Sequence, residues 1–275
     1  MRLKKPQLLF TYIVLSVWSV IVLFPIWTLV VNFFKPQKQI FKDPFGLPDT
    51  FTLDGYRAAW NNGRFDLYFV NTLIVTAIAL GLILFIGSMA AYALAKWKSP
   101  VSNFLYIFFI AGLMIPIRLG TLDLVRLIKA LNLQDTYWSL IPVYVAMGMP
   151  IATFVLTAFI KELPGEMFEA AKIDGASEWQ IYSRIVLPLM RPALATVAIF
   201  NMIKIWNDFW FPLVFIRAEE SRTVALGVSL LFGQYRTDWT RALAVLSLAA
   251  IPMLILYMLL AREFIKGLTA GAVKG

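Results

Sequence analysis

Long apolar stretches alternate with shorter polar connectors along most of this 275-residue sequence. A stretch of about 20 apolar residues is long enough for a helix to cross the hydrocarbon core of a bilayer. The stretches of this kind are residues 9–34, 71–95, 102–120, 137–160, 193–216 and 242–265. The pattern predicts an all-α membrane protein with six transmembrane helices, in which residues 1–275 form a single transmembrane domain.

Small residues and prolines indicate where the predicted helices meet or break. Gly87, Ala91 and Ala95 recur every four residues in the second span, which favours the close approach of a neighbouring helix. The fourth span contains several residues that disfavour a helix, namely Pro142, Gly148 and Pro150. Broken helices are tolerated in lipid only where the freed backbone faces protein or a water-filled cavity. We therefore expect a broken fourth span that lines a cavity.

The connectors differ in character. Residues 35–66 are polar and rich in proline, as expected of an external loop. Residues 118–136 alternate apolar and charged positions, which favours an interfacial helix or a scoop at the mouth of a pathway. Residues 266–275 are rich in glycine, so no helix is predicted there.

The polar segment 163–192 has the local signals of a helix–turn–helix. Pro164 suits the first turn of a helix, where a missing N–H is harmless. Gly175 suits the left-handed position that follows a helix C-terminus. Ser177 and Gln180 have the spacing of a capping box, so a second helix is predicted to start there. The segment is predicted to lie outside the membrane, between the fourth and fifth spans, as a docking element.

Composition narrows the possible functions. With 60% apolar residues and a mean hydropathy of +0.75, the chain is far more apolar than a soluble domain. The net charge of +9 does not indicate nucleic-acid binding, because the basic residues are spread over the connectors. Cysteine and histidine are absent, which excludes thiolate and imidazole metal sites and His-dependent triads. No Walker A sequence occurs, so any ATP that drives this protein must bind to another subunit.

The fifth span carries polar residues inside an apolar stretch, namely Asn201, Lys204, Asn207 and Asp208. Lys204 and Asp208 are four residues apart, so a continuous helix would place them on one face as an ion pair. Ionisable residues in a membrane span indicate either a functional pathway or bonds that hold helices together. The sequence leaves both interpretations of the pair open.

The segment 163–192 also carries a spaced motif. Glu169-Ala170-Ala171 is followed after three residues by Gly175, and after nine more by Ile185-Val186-Leu187-Pro188. This spacing resembles the EAA motif of the permease subunits of bacterial ABC importers. Further segments resemble the carbohydrate-uptake branch of that family, and within it the second, six-span permease subunit of maltose-type transporters: Asn71-Thr72-Leu73, Ala90-Ala91-Tyr92-Ala93-Leu94-Ala95, Lys172-Ile173-Asp174-Gly175-Ala176, Trp206-Asn207-Asp208-Phe209 and Gly271-Ala272-Val273-Lys274-Gly275.

The resemblance implies roles for particular residues. The segment 163–192 would be a cytoplasmic coupling helix–turn–helix seated in a cleft of an ATPase subunit, with Glu169 facing a basic group of that subunit. The coupling residues that it implies are Glu169, Ala170, Ala171, Asp174, Gly175, Ile185, Leu187 and Pro188. The candidate residues for the translocation pathway are Lys204, Trp206, Asn207, Asp208 and Trp210, because polar groups inside a span could line a pathway and aromatic rings could stack on a sugar.

The resemblance also implies an assembly. The chain would be a transmembrane permease domain that pairs with a second permease subunit, two ATP-binding subunits and an extracytoplasmic solute-binding protein. It would import a sugar or oligosaccharide across the bacterial cytoplasmic (inner) membrane, with both termini in the cytoplasm. ATP and Mg would bind the ATPase subunits, and this chain would be a transporter subunit without a cofactor, a metal or a nucleic-acid partner.

Two other classes of membrane protein compete with this interpretation. An ion-coupled secondary transporter would use Lys204 and Asp208 as its coupling pair, but such carriers usually contain internal repeats of spans, and none is visible. An intramembrane enzyme would need acids, bases or nucleophiles, and the absence of histidine and cysteine leaves few candidates.

Overall fold

The computed structural model describes residues 5–62, 64–231 and 239–272, with side-chain surroundings for residues 8–60, 64–231 and 239–262. Within these ranges the chain is helical and contains no strand. Four of the described helices are long and apolar enough to cross a membrane, and the number rises to six if each of two bent helix pairs is one span. The predicted all-α membrane fold is confirmed, and the predicted six spans are the upper end of this range.

Contacts divide the chain into two compact units, Met1–Asp66 with Val228–Ile251 and Leu67–Gly227 with Pro252–Gly275. The first unit contains α1 (Lys5–Phe33), α2 (Gln37–Lys42) and α3 (Asp54–Arg57). The connector after α1 folds back on it. The buried Lys35 Nζ donates to the carbonyl oxygen of Asp43 at 2.6 Å, and the side-chain amide of Asn32 donates to that of Pro44 at 2.8 Å.

The last helix is longer than the sequence pattern indicated. α14 (Trp239–Ala272) continues through Pro252, so the prediction that residues 266–275 are too rich in glycine for a helix is wrong for residues 266–272. Residues 273–275 lie outside the described residues. Each residue added to an existing helix contributes one further hydrogen bond. The two glycines of this stretch, at about 1 kcal/mol each, do not end the helix.

The core of the second unit is formed by three helices that pack closely: α4 (Phe65–Lys96), α7 (Leu140–Lys161) and α11 (Arg191–Asn207). A Cβ atom at Gly148 would overlap Ile83 and Asn201, so glycine is needed where these helices meet. A Cβ atom at Gly87 would lie 2.8 Å from the Cβ atom of Ala152. The close approach predicted from the small residues of the second span is confirmed at this position.

The fourth span is not broken, which contradicts the prediction from its prolines. α7 is continuous from Leu140 to Lys161. Pro142 lies in its first turn, where no N–H is required. Pro150 removes one backbone bond, and nearby the hydroxyl of Thr153 donates to the carbonyl oxygens of Met149 and Pro150 at 2.9 and 3.0 Å. Half of this span is buried, so packing against its neighbours supports the continuous helix.

The third span breaks near its end. α5 (Pro100–Ala111) is followed by short turns and by α6 (Thr121–Ala130), and helix Pro100–Met114 meets helix Ile117–Ala130 at 85°. Ile115, which precedes Pro116, is extended, as the proline ring requires. The predicted helix over 102–120 is therefore too long. The amphipathic helix predicted within 118–136 is confirmed as α6.

Candidate functional site

The polar segment 163–192, called the EAA loop from here on, is a helix–turn–helix as its sequence predicts. α8 (Gly165–Ile173) is followed by a turn in which Gly175 has φ +78°. Ser177 then closes a capping box, because its Oγ accepts from the backbone N–H of Gln180 at 3.3 Å and its own N–H donates to Gln180 Oε1 at 2.8 Å. The second loop helix, Glu178–Leu189, comprises α9 (Glu178–Gln180), a π-helical segment (Ile181–Val186) and α10 (Leu187–Leu189).

The two helices of the EAA loop differ in burial. In α8 only Ala171 is buried, whereas the second loop helix buries Ile181, Tyr182 and Val186. The exposed residues include Ile173 at 86% and Trp179 at 57%. Of the predicted coupling residues, Ile185 and Leu187 are half-buried and the exposed ones are Glu169, Ala170, Asp174, Gly175 and Pro188. The EAA loop therefore has an exposed face on α8 and an anchored second helix.

The second loop helix is anchored to the end of α4 by polar contacts that are not among the sequence predictions. Glu178 forms an ion pair with Lys96 and accepts a hydrogen bond from the hydroxyl of Tyr92 at 2.9 Å. The hydroxyls of Ser88 and Tyr182 share a buried hydrogen bond of 2.8 Å. The only signal in the sequence is the polar stripe on α4, whose members recur every four residues.

The fifth span ends as a continuous helix at Asn207. Asp208 is extended, with φ −73° and ψ 124°, and α12 (Trp210–Phe215) starts after it. The Asp208 carboxylate accepts from the Tyr144 hydroxyl at 2.9 Å and from the backbone N–H of Phe211 at 3.2 Å. Within the described residues 64–231, Lys204 and Asp208 do not form an ion pair with each other. The predicted pairing is wrong, because the helical spacing that would align the two side chains stops at Asn207.

A cavity of about 330 Å³ lies beside this break. Its polar lining residues are Arg118, Tyr144, Asn201, Lys204, Asn207 and Asp208. Trp206 is buried and packs edge-on against Phe69, with ring centroids 6.0 Å apart, and does not line this cavity. Trp210 is not in the lining either, but its ring lies under Arg118, which lines the cavity. The guanidinium carbon of Arg118 is 5.7 Å from the ring centroid of Trp210. The structure thus brings three of the five predicted pathway residues to one cavity: Lys204, Asn207 and Asp208.

Comparison with known proteins identifies the family. Residues 83–269 match the model of the binding-protein-dependent transport system inner membrane component. The chain belongs to this family. It is a multi-pass membrane protein of the ABC permease type, and the resemblance inferred from the EAA motif is confirmed.

The permease has similar relatives along nearly its whole length. It is 39% identical to a putative ABC transporter permease, ORF2, of Caldicellulosiruptor sp. (strain Rt8B.4), with 96% of each chain covered. It is 34% identical to a probable starch degradation products transport system permease, AmyC, of Thermoanaerobacterium thermosulfurigenes, with 99% of this chain and 98% of the relative covered. The diacetylchitobiose uptake system permease NgcG of Streptomyces coelicolor is 32% identical, with 96% and 88% covered.

A solved structure shares the fold of the permease. A bacterial ABC transporter involved in the import of the acidic polysaccharide alginate superimposes with a TM-score of 0.79 at 20% identity, covering 96% of this chain and 99% of that chain. The family and the named relatives are transport permeases, not enzymes. Within the described residues of the permease, no cluster of three or more acidic residues is arranged to hold a metal ion.

The family segment Asn71-Thr72 has a structural role in the permease. The side-chain amide of Asn71 donates to the carbonyl oxygens of Glu220 and Arg222 at 2.7 and 3.0 Å. The backbone N–H of Val224 donates to Thr72 Oγ1 at 2.9 Å. These bonds fasten the connector that follows the fifth span, up to the start of α13 (Val224–Ser229), to the start of α4.

Asp135 fastens the same connector at another point. Its carboxylate accepts from the backbone N–H groups of Arg217 and Ala218, both at 2.6 Å. The N–H of Ala218, followed by that of Arg217, lowers the pKa of the Asp135 carboxyl below its usual value. Asp135 lies between the candidate spans, so this contact is outside the membrane.

Proposed function

We propose that this chain is the permease subunit of an ATP-driven ABC importer that takes up a sugar or oligosaccharide. The observation that carries the coupling role is the exposed face of α8. Ile173, 86% exposed, lies on this face beside Glu169 and Ala170 of the EAA motif. The EAA loop also exposes Trp179 at 57%, and the exposure of two large apolar side chains on one polar segment supports a contact with a protein partner. The partner proposed is a cytoplasmic ATPase subunit.

The proposed assembly contains a second permease subunit, two ATP-binding subunits that hold ATP and Mg, and an extracytoplasmic solute-binding protein. The family's dependence on a binding protein supports the last of these. The alginate transporter, which shares the fold, has also been crystallised with a periplasmic protein that holds an alginate pentasaccharide. In this assembly the EAA loop and both termini face the cytoplasm of a bacterium, and residues 1–275 act as one permease domain.

The proposed substrate class rests on the named relatives. AmyC is named for starch degradation products, and two further relatives, 35% and 30% identical to this chain, are named for arabinooligosaccharides and for melibiose, raffinose and stachyose. The cavity at the fifth-span break offers the ammonium of Lys204 and the side-chain oxygen of Asn207 to the hydroxyl groups of a sugar. Because Asp208 is occupied by Tyr144 and by the start of α12, its role is to hold the break open.

The proposed mechanism needs no catalytic residue in this chain. When the ATPase dimer closes, it moves α8, and the EAA loop transmits this movement as a rigid body to the spans. The spans then change access to the pathway from one side of the membrane to the other. Gly175 allows the tight turn between the loop helices, since φ +78° is strained for any residue with a side chain.

Substitution of Ile173 by glutamate tests this proposal in the complete transporter reconstituted in liposomes. A charge at the centre of the proposed docking face is expected to reduce the co-purification of the ATPase subunits about ten-fold or more, and sugar uptake with it. Uptake is measured with maltotriose, arabinotriose, raffinose and diacetylchitobiose. Leu47→Glu is the matched control, because Leu47 is 65% exposed and lies in the connector 35–66, outside the EAA loop and the candidate spans.

Two outcomes would contradict the proposal. One is an Ile173→Glu variant that keeps its ATPase subunits and its uptake at the level of the Leu47→Glu control. The other is uptake driven by an ion gradient in liposomes that contain no ATPase subunit, which would favour a secondary transporter.

A further inference from the structure

We propose that Glu178 and Tyr182 of the second loop helix, with Ser88, Tyr92 and Lys96 of α4, form a clamp that transmits movement of the EAA loop to the second span. This inference rests on the proposed coupling function and adds the positioning residues through which it acts. None of these five residues lines the cavity at the fifth-span break. Their role is to keep α4 and the second loop helix moving together.

The outer part of the clamp is centred on one carboxylate. Glu178 forms an ion pair with Lys96, and the Tyr92 hydroxyl donates to the same carboxylate oxygen at 2.9 Å. The Lys96 ammonium also donates to the Tyr92 hydroxyl at 3.1 Å. The three side chains therefore form a closed set of contacts, in which each one bonds to the other two.

The inner part of the clamp is buried. The hydroxyls of Ser88 and Tyr182 are 2.8 Å apart, and these residues are 1% and 4% exposed. The rings of Tyr182 and Tyr92 pack with centroids 5.5 Å apart. If the helices separate, the buried Tyr182 hydroxyl loses this partner, whereas the Ser88 hydroxyl keeps its hydrogen bond to the carbonyl oxygen of Phe85 at 3.0 Å.

The spacing of the clamp residues gives it a direction. On α4 they recur at positions 88, 92 and 96, and on the second loop helix at positions 178 and 182. Residues four apart lie on one face of a helix. The outer and inner parts of the clamp are therefore two successive contacts that join the two helices over about 12 Å of α4. Two contacts at different heights along the helices resist both sliding and rotation of one helix on the other, whereas a single hydrogen bond would allow rotation about itself.

The clamp connects the EAA loop to the cavity through α4. Five residues before Ser88, Ile83 packs against Gly148 of α7, which also lies against Asn201, a residue that lines the cavity. These core contacts are close enough that a Cβ atom at Gly148 does not fit. A displacement of α4 therefore has to be accommodated at the cavity, because a closely packed core does not absorb it.

Stability and coupling are separable here. The Glu178 side chain is 52% exposed and that of Lys96 is 15% exposed. A half-exposed ion pair contributes little to folding. Loss of the pair should therefore leave an assembled transporter, while the alignment of the loop with α4 is weakened.

The test uses the complete transporter in liposomes with each of three variants: Glu178→Gln, Lys96→Glu, and the exchange Lys96→Glu with Glu178→Lys. The readout is the number of sugar molecules imported per ATP hydrolysed, using whichever sugar of the panel above the unaltered transporter takes up. Both single variants are expected to keep their ATPase subunits and to lower this ratio about five-fold or more. The exchange is expected to restore most of it, because it re-forms the ion pair.

The control is Asp123→Asn, which removes an ion pair with Arg126 on α6 whose two side chains are 83% and 81% exposed. It is expected to leave the ratio unchanged. The clamp is refuted if Glu178→Gln leaves the ratio unchanged, if the exchange restores nothing, or if Glu178→Gln releases the ATPase subunits. In the last case Glu178 acts in docking, and the proposed function stands. Failure of the proposed function is seen separately, as retention of the ATPase subunits by Ile173→Glu.

Discussion

Two carboxylates in this permease accept a tyrosine hydroxyl at the same distance but are otherwise held in different ways. Glu178 accepts from Tyr92 at 2.9 Å, and Asp208 accepts from Tyr144 at 2.9 Å. Glu178 completes its environment with the cation of Lys96. Asp208 instead uses the backbone N–H of Phe211, at the start of α12.

The contrast follows from where each group lies. At the end of α4, water is near, and a long lysine side chain reaches a half-exposed carboxylate at little expense in desolvation. In the fifth span, a carboxylate that ends one helix and starts another meets unsatisfied N–H groups, which take the place of a cation. Lys204 stays exposed at the cavity, without a hydrogen bond or ion pair to any described residue. It is therefore available to a substrate or to a partner subunit.

The largest effect is expected from Asp208→Leu. The substitution leaves the buried Tyr144 hydroxyl and the N–H of Phe211 without an acceptor in the span, which should lower the free energy of unfolding by about 3 kcal/mol. The measurement is unfolding of the purified permease in mixed detergent micelles. Asp123→Leu, at an exposed carboxylate, is the control. Equal unfolding curves for the two variants would show that Asp208 is not a structural centre of the fifth span.

A smaller effect is expected when the same hydroxyl is removed from each centre. Tyr144→Phe should lower the free energy of unfolding by about 1.5 kcal/mol, because the carboxylate of Asp208 loses a buried donor. Tyr92→Phe should lower it by about 0.5 kcal/mol, because Glu178 and Lys96 still bind each other at the water boundary. The same unfolding measurement applies to both. The reverse order would mean that the Glu178 centre is the more structural of the two.

The smallest effect concerns a third carboxylate, Asp135, which is held by backbone N–H groups outside the membrane. The pKa of Asp135 is lowered in the folded protein. Its contribution to the stability of this contact is therefore fully present above the pKa of about 3.9 that the carboxyl has in the unfolded protein. This contribution is lost as the pH falls through the lower, folded value. Hydrogen exchange at Arg217 and Ala218, corrected for the intrinsic rate, should therefore show constant protection from about pH 8 to pH 5 and a loss only below about pH 4.

Asp135→Ala should remove that protection at neutral pH, and Asp123→Ala should not. A loss of protection already near pH 6 would contradict this account, because a carboxyl with a lowered pKa does not titrate there.

The EAA loop was the most predictable part of the fold. Its helix boundaries depend on Pro164, Gly175 and the Ser177–Gln180 box, which act within a few residues of the chain. The contacts that anchor this loop were not predictable. Glu178 and Lys96 are 82 residues apart, and nothing in the spacing of either segment indicates that they meet.

The fifth span illustrates a failure of the same kind. The four-residue spacing of Lys204 and Asp208 indicated a pair only under the assumption of a continuous helix. The break at Asp208 is stabilised by Tyr144, on a different helix, which that spacing could not reveal. The opposite error occurred in α7, where the prolines suggested a break and tertiary packing preserved the helix.

Hydrophobic pattern and local capping chemistry were thus sufficient for the membrane class, the approximate spans and the helix–turn–helix of the EAA loop. These features depend on the length of an apolar run and on residues three or four positions apart, which the chain order records directly. The breaks of the third and fifth spans, the cavity beside Asp208 and the clamp on Glu178 follow from which helices pack together. A backbone group freed by a break, or a carboxylate away from water, is stable only beside a partner that another part of the chain supplies.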